Sequence, residues 1–466
     1  MKSIKPLRLI LPMAAALIAL VSSCDKSERS LLDTVPDSAR VVATADFDRL
    51  LKNAGCQVKD GKYELTPQLT SLLGASDAHT FAKWLNCISK AADINHVVIY
   101  MTDHATPIGT VSITDLDAIE TALTDYDFKK ADSRDGYDIY EWPDGAVAML
   151  KDGQAWFAHK ADDVIKSVKK ADKDPLAALD GVKKFLLTDH PVNVTYRCSG
   201  MPFDWVCGSV ALNDNILGMT IKGMDDDGKL FELDRLFDTV NTDFLRYAPG
   251  NTQLAVAFSA KTDAPWNQAL AILKAHPGLS MSQKGMLEMV FSQLKKIDGT
   301  VAIAAAPAAG APALANLSLS TWDLMLMVHM PQDVVNSNVS QLVATARQFG
   351  MTVNEENGVY HANLSQLDPS LGDIYVGNVD GYFAVSTRQF IPNSDNSLVQ
   401  VFNGCGGAVA LDIPYGSETM KAFGLPYGLS VTLQLESESA EIRARFNGTN
   451  SSFLSSLIDM IQKIDR

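Results

Sequence analysis

The residues best suited to chemistry stand apart from one another. His79, His96, His104, His159, His190, His276, His329 and His361 are scattered. No two have the i, i+4 spacing that sets a pair of imidazoles on one helix face toward a metal. A Gly-x-Ser-x-Gly nucleophile elbow, a phosphate-cradling glycine loop and a His-Glu-x-x-His zinc motif are all absent from the sequence. Asp225-Asp226-Asp227-Gly228 has the density of a calcium loop. With Gly228 at the sixth position, however, Gly223 falls at the first and Asp234 at the twelfth, where the loop needs an acid and a glutamate. The run reads instead as a solvated turn between Met219–Ile221 and Leu230–Leu233. No catalytic residue, cofactor site or metal site is assigned.

Two other sets of residues could make or break covalent bonds. Cys198 and Cys207 flank Ser199-Gly200-Met201-Pro202, between the strand-like runs Val192–Tyr196 and Val206–Leu212. A disulfide across that loop is geometrically reasonable, and so is a pair of buried thiols. Asp33-Thr34-Val35, Asp37-Ser38-Ala39 and Asp238-Thr239-Val240 each place an acid before a hydroxyl and a small apolar residue. That pattern fits O-glycosylation, and Thr34 and Ser38 are the candidates because they lie near an accessible tether. Tyr137, Tyr140, Trp142 and Trp156 cluster with Phe157 around two tight turns. If exposed, they would form a binding surface for sugars. Strand alternation forces Trp156 and Phe157 to opposite faces, so part of the set is expected in a core.

The N-terminus carries the strongest motif. Lys2, Lys5 and Arg8 precede the apolar stretch Leu9–Val21, followed by Ser22, Ser23 and Cys24. Basic, apolar and small residues in that order read as a secretory signal. Pro12 interrupts the apolar stretch, which is also shorter than the roughly 20 residues a spanning helix needs. Val21-Ser22-Ser23-Cys24 resembles the lipobox of bacterial lipoproteins. The resemblance implies removal of residues 1–23 and acylation of Cys24, which then begins a polar tether, residues 24–32. Acyl chains on Cys24 would hold the protein to a membrane without a spanning segment.

Composition bounds the rest. The chain has 466 residues, 47% of them hydrophobic and 20% charged, enough for two or three cored domains. Net charge is −15, and losing Lys2, Lys5 and Arg8 with the signal leaves −18. Such a chain has no electrostatic attraction to nucleic acid.

The elements that must position any site are written twice. Pro36-Asp37-Ser38-Ala39 leads into Arg40–Phe47, and Pro249-Gly250-Asn251-Thr252 into Gln253–Ser259. Leu116, Ile119, Leu123 and Tyr126 mark one amphipathic helix, with Thr114 as its weak cap. Val335, Val339, Leu342, Val343 and Phe349 mark its counterpart, closed by Gly350. Asp135-Gly136 corresponds to Asn357-Gly358, and Asp152-Gly153 to Asp380-Gly381; these dipeptides favour tight hairpins. Each half ends in strands and a helix, near Leu233–Phe244 and Phe453–Ile464. The Ala/Pro/Gly stretch Ala304–Ala315 reads as a mobile loop. The expected architecture is α+β: two tandem copies, 33–246 and 247–466, each a mainly antiparallel sheet with helices packed on one face.

The lipobox, Val35-Pro36-Asp37-Ser38-Ala39 leading into Val41-Val42-Ala43, and the paired halves resemble the uncharacterised two-copy lipoproteins of Bacteroidetes-type envelopes, a domain of unknown function. The resemblance implies no activity. It places the protein in a Gram-negative envelope. Surface-exported lipoproteins of that type carry an acidic run after the lipidated cysteine. Asp25-Lys26-Ser27-Glu28-Arg29-Ser30 has no net charge, so the expected site is the outer membrane facing the periplasm, with surface display as the alternative. The leading functional expectation is a non-catalytic binding or scaffolding lipoprotein whose partner is an envelope protein or glycan. The alternatives are a glycan-binding accessory lipoprotein and an envelope hydrolase with a carboxylate pair in a groove.

Overall fold

The computed structural model describes residues 31–464 except 103–105, 144, 200, 262–266, 268–269, 272–273, 275–279, 295–296, 298, 309–320, 366–371 and 394–397. The signal, Cys24 and tether residues 25–30 therefore lie outside the described residues. So do His104, His276, Gly200 and 309–315 of the Ala/Pro/Gly stretch. Leu31 and Leu32, expected in the tether, are buried in a 3-10 turn, Leu31–Thr34.

The chain divides into two compact units. One comprises Met1–Phe231 with Asn450–Arg466, the other Glu232–Thr449. This departs from a contiguous division at 246/247. The last helix belongs with the first unit, because its start is tied there: the Leu454 N–H donates to Asn53 Oδ1 at 3.1 Å, and the Phe453 N–H to the Asp214 carbonyl at 2.9 Å.

The first unit has antiparallel strands β1 Val41–Ala45, β2 Val97–Met101, β3 Pro107–Ser112, β4 Lys129–Lys130, β5 Asp138–Glu141, β6 Val147–Lys151, β7 Gln154–Ala158, β8 Val192–Arg197, β9 Trp205–Asn213 and β10 Ile216–Met224. Their order is β10-β9-β8-β1-β2-β3-β7-β6-β5-β4. The second unit has β11 Leu254–Ala260, β12 Gly299–Pro307, β13 Trp322–His329, β14 Val353–Glu356, β15 Val359–Asn363, β16 Asp373–Val379, β17 Tyr382–Ser386, β18 Gly407–Ile413, β19 Gly428–Leu435 and β20 Ala440–Asn447. Its order is β20-β19-β18-β11-β12-β13-β17-β16-β15-β14. The two orders are the same, element for element.

Turn chemistry fixes these ladders. Asp135-Gly136, Asp152-Gly153, Asn357-Gly358 and Asp380-Gly381 all adopt positive φ at both residues. That is the hairpin turn whose twist matches its strands, and Asp, Asn and Gly tolerate it best. β12 runs through Ala304, Ala305 and Ala306, which are buried, so the expected loop does not begin at Ala304.

Helices cover both faces of the sheet, not one. In the first unit, α1 Phe47–Asn53, α2 Pro67–Leu73, α3 Ala75–Ile88 and α4 Leu116–Asp125 gather on one side. Trp84, Leu85, Ile88, Ile119 and Leu123 pack there with Tyr140 and Phe157. On the other side, α5 Ala161–Ala171 and α6 Asp180–Leu186 bury Val164, Ile165, Val168, Val182 and Leu186 against Tyr137, Trp156 and Trp205. Trp156 and Phe157 thus each meet a core, one per face, as the pleat requires. α4 is capped by Asp115, which accepts from the Ala118 N–H, and not by Thr114. α5 carries Asp162 and Asp163 in its first turn and Lys169 and Lys170 in its last, the charge arrangement its dipole favours.

In the second unit, Phe244 and Phe402 pack with Ala255, Ala257, Met325, Met327 and Ala384 on one side. On the other, Val335, Val339 and Val343 of α8 Gln332–Gln348 meet Val353, Val376 and Phe383, and Leu287 of α7 Met281–Leu294 packs near Phe258. The helix expected over 233–244 is replaced by two 3-10 turns, Leu233–Arg235 and Thr242–Tyr247. Between them Phe237 and Asp238 pair with Ala260 and Ser259, so sheet hydrogen bonding overrides the apolar spacing. The final helix, α9 Phe453–Ile464, lies where the apolar spacing places it. No described helix is long and apolar enough to cross a membrane.

Candidate functional site

One cavity in the first unit gathers residues from four places in the fold. Its volume is about 200 Å³. The 3-10 turn supplies Thr34 and the β4–β5 turn supplies Asp135 with Tyr137. The β6–β7 hairpin supplies Lys151, Asp152, Gln154 and Trp156, and one face of α5 with the residue after it supplies Ile165, Val168, Lys169 and Asp172. The helical spacing of 165, 168, 169 and 172 puts two apolar and two charged side chains toward one place.

The interior is aromatic and aliphatic, and the rim is charged. Tyr137 and Trp156 meet edge to face, with ring centroids 5.4 Å apart. Lys151 Nζ lies 4.7 Å from the centre of the Tyr137 ring and donates to the Asp135 carbonyl at 3.1 Å. Lys169 Nζ donates to Asp135 Oδ2 at 3.2 Å. The Trp156 indole N–H is buried and meets no acceptor among the described residues. A buried donor left without a partner costs about 1–3 kcal/mol. Two lysines and three aspartates thus stand among the lining residues, and the β6–β7 turn carries a residue of each sign side by side, Lys151 and Asp152.

The second unit carries different side chains at the corresponding positions. Tyr247 ends the 3-10 turn before β11, as Thr34 ends the one before β1. Asp380 opens the β16–β17 turn, as Asp152 opens the β6–β7 turn. Asp380 Oδ2 accepts from both the Tyr247 hydroxyl and the Arg246 guanidinium. The Tyr247 hydrogen bond, followed by Arg246, holds the Asp380 carboxyl below its ordinary range. Tyr382 stands at the position of Gln154 and Ala384 at that of Trp156.

The expected aromatic surface is not a surface. Tyr137, Tyr140 and Trp156 are all buried. The Tyr140 hydroxyl donates to Glu120 at 2.7 Å, and Trp142 packs on Phe128 at 5.3 Å. Helices on both sheet faces leave these rings no open plane, so only Tyr137 and Trp156 are brought together at a hollow. Thr34 is also inaccessible: it is 1% exposed and its hydroxyl donates to the Leu31 carbonyl at 2.8 Å. Ser38 is half-buried, whereas Thr239 is exposed beside a smaller hollow of about 130 Å³ in the second unit.

Cys198 and Cys207 are free thiols, not a disulfide. Cys207 shares the inward face of β9 with Trp205. Cys198 lies one residue past Arg197, the partner of Trp205, and so belongs to the opposite face. Burial pushes the Cys207 thiol up to about 12. The acidic run is a turn whose Asp226 accepts from the Trp205 indole at 2.7 Å and lies 3.6 Å from Arg197.

The lysines, aspartates and α5 residues of the cavity were not among the sequence candidates. For the α5 residues alone a signal exists in the sequence, the one-face spacing of Ile165, Val168, Lys169 and Asp172. No family model and no curated protein matches the chain. Among solved structures, crystal form III of TP0453 aligns with a TM-score of 0.30 and 9% identity, covering 44% of this chain and 84% of that one. Crystal form I aligns with a TM-score of 0.28 and 9% identity, over 44% and 81%. Likenesses this slight assign neither a family nor a role.

Proposed function

We propose that this chain is a lipid-anchored envelope protein with a binding, non-catalytic role, built by tandem duplication of one α+β unit. The observation that carries the binding role is the cavity of the first unit, where an aromatic interior meets a rim of mixed charge. The matching strand orders and matching Asp/Asn-Gly turns support duplication. The run Val21–Cys24 supports acylation of Cys24, and the uncharged tether supports an outer-membrane position facing the periplasm. Thr34, in the cavity wall, is ten residues from Cys24. Leu31–Thr34 is already folded as a 3-10 turn, so at most the seven residues from Cys24 to Leu31 can extend, about 25 Å, and the cavity would work close to the membrane surface. Its partner is an envelope protein or glycan.

Native mass spectrometry of the protein released from its own envelope tests the binding role. An added mass that disappears in Ile165→Trp, which fills the cavity, is the expected result. The bare polypeptide mass for each protein, with nothing added to either, would refute it. Anchoring is tested separately: Cys24→Ser should accumulate as an unprocessed or released form, and a processed, acylated mutant would refute it.

A further inference from the structure

We propose that the first-unit cavity receives a single hydroxylated ring, the terminal sugar residue of a glycan, and that Tyr247 has closed the equivalent place in the second unit. This rests on the binding role above and names its ligand class. Size is the first argument. The cavity's roughly 200 Å³ is about the room of six or seven waters and lies below the ~300 Å³ at which sites for larger ligands begin. One ring fits; an oligomer would have to extend outward.

Charge is the second argument. A carboxylate ligand would meet Asp135, Asp152 and Asp172, and an ammonium ligand would meet Lys151 and Lys169. A hydroxyl both donates and accepts, so a row of them is satisfied by a rim that carries both signs. Lys151 has no carboxylate partner among the described residues, since its contacts are the Asp135 carbonyl and the Tyr137 ring. Its ammonium can therefore turn to a ligand oxygen without breaking an ion pair. Ile165, Val168 and the two aromatic rings supply the apolar wall that the C–H face of a sugar needs.

The second unit supplies the third argument. There the residue at the Thr34 position is a tyrosine whose hydroxyl donates to the turn aspartate. A phenol with one hydroxyl, bonded to that aspartate, is the protein's own stand-in for a hydroxylated ring bonded to Asp152. The second unit thus carries as a side chain what the first leaves room for.

The test uses the full mature chain in detergent and saturation-transfer NMR. The probes are glucose, galactose, mannose, N-acetylglucosamine and rhamnose, each as the free sugar and as the terminal residue of a disaccharide. Acetate and ethylammonium serve as charged controls. At least one sugar should bind in the millimolar range and weaken by about tenfold or more in Thr34→Tyr, which copies the second unit. Because Thr34 is buried, Lys151→Met, at a half-exposed position, is measured alongside and should weaken the same sugar. A disaccharide response equal to or stronger than that of its free sugar identifies a glycan end; a free-sugar response alone overturns the glycan assignment. Sugar binding undiminished in both variants overturns the site. If acetate or ethylammonium binds in place of every sugar, the ligand class fails while the binding role stands. If no probe binds and native mass spectrometry finds no added mass, both fail.

Discussion

Gly181 and Gly228 touch backbone to backbone, and that contact can be broken by a single methyl group. A Cβ built on Gly181, at the start of α6, would lie 2.3 Å from the Cα and N of Gly228. Backbone cannot swing aside as a side-chain end can, so Gly181→Ala must push the 225–228 turn off the helix. Overpacking of this kind costs about 1–3 kcal/mol, and a rigid backbone target puts it near the top of that range. The displaced turn also carries Asp226, whose carboxylate accepts from the buried Trp205 indole. Losing a hydrogen bond to a charged group adds about 1.5–3 kcal/mol. The expected loss is therefore about 5 kcal/mol, or about 10–20 °C in the melting of a unit this size. Differential scanning calorimetry measures the shift. Because Trp205 is fully buried, its fluorescence should move to the red as the indole loses its acceptor and its cover. A variant that melts within 2 °C of the parent with unchanged emission would show that the two backbones are not pressed together.

Phe453→Ala should remove about 3 kcal/mol from the first unit alone, because its buried ring opens α9. Hydrogen exchange should then speed up about a hundredfold in 41–224 and stay unchanged in 254–447, and equal acceleration in both would refute the division into units. His96 should titrate above its ordinary 6.5, because the hydrogen bond to Asp93 favours its charged form. The stability it contributes is full below 6.5 and is lost as pH rises through the raised value. The pair is exposed, so the effect is under about 1 kcal/mol, and NMR titration should show the midpoint fall in Asp93→Asn. Iodoacetamide at pH 8 should modify the half-exposed Cys198 while leaving Cys207 unlabelled until unfolding, and labelling of both at one rate would contradict the burial.

What could be read from the sequence was local. Asp135-Gly136, Asp152-Gly153 and their partners announce hairpins because few other residues accept positive φ twice in succession. The apolar spacing of Leu116–Leu123 and of Val335–Val343 announces helices for a similar reason. What could not be read was which surfaces are covered. Alternation separates Trp156 from Phe157, but it does not say that helices wait on both sides. Phe453–Ile464 declares an apolar face without naming the unit that buries it. The cavity depends on Thr34, the β6–β7 turn and α5 meeting, which is a product of packing and leaves no mark in any one segment. Over 233–244, Leu233, Phe237, Val240 and Phe244 carry helical spacing, and the chain instead spends Phe237 and Asp238 on pairing with β11.

The return of α9 to the first unit has a consequence for how the chain is made. A ribosome completes β1 to β10 before it begins the second unit, yet α9, which covers α1 and α2, is made only after that unit. The earliest-made unit is thus the last to be finished. Until then it is held short of its final stability. It also makes the unit a check on completeness. A product cut short near its end would leave its oldest part open to proteolysis while the younger unit stood folded.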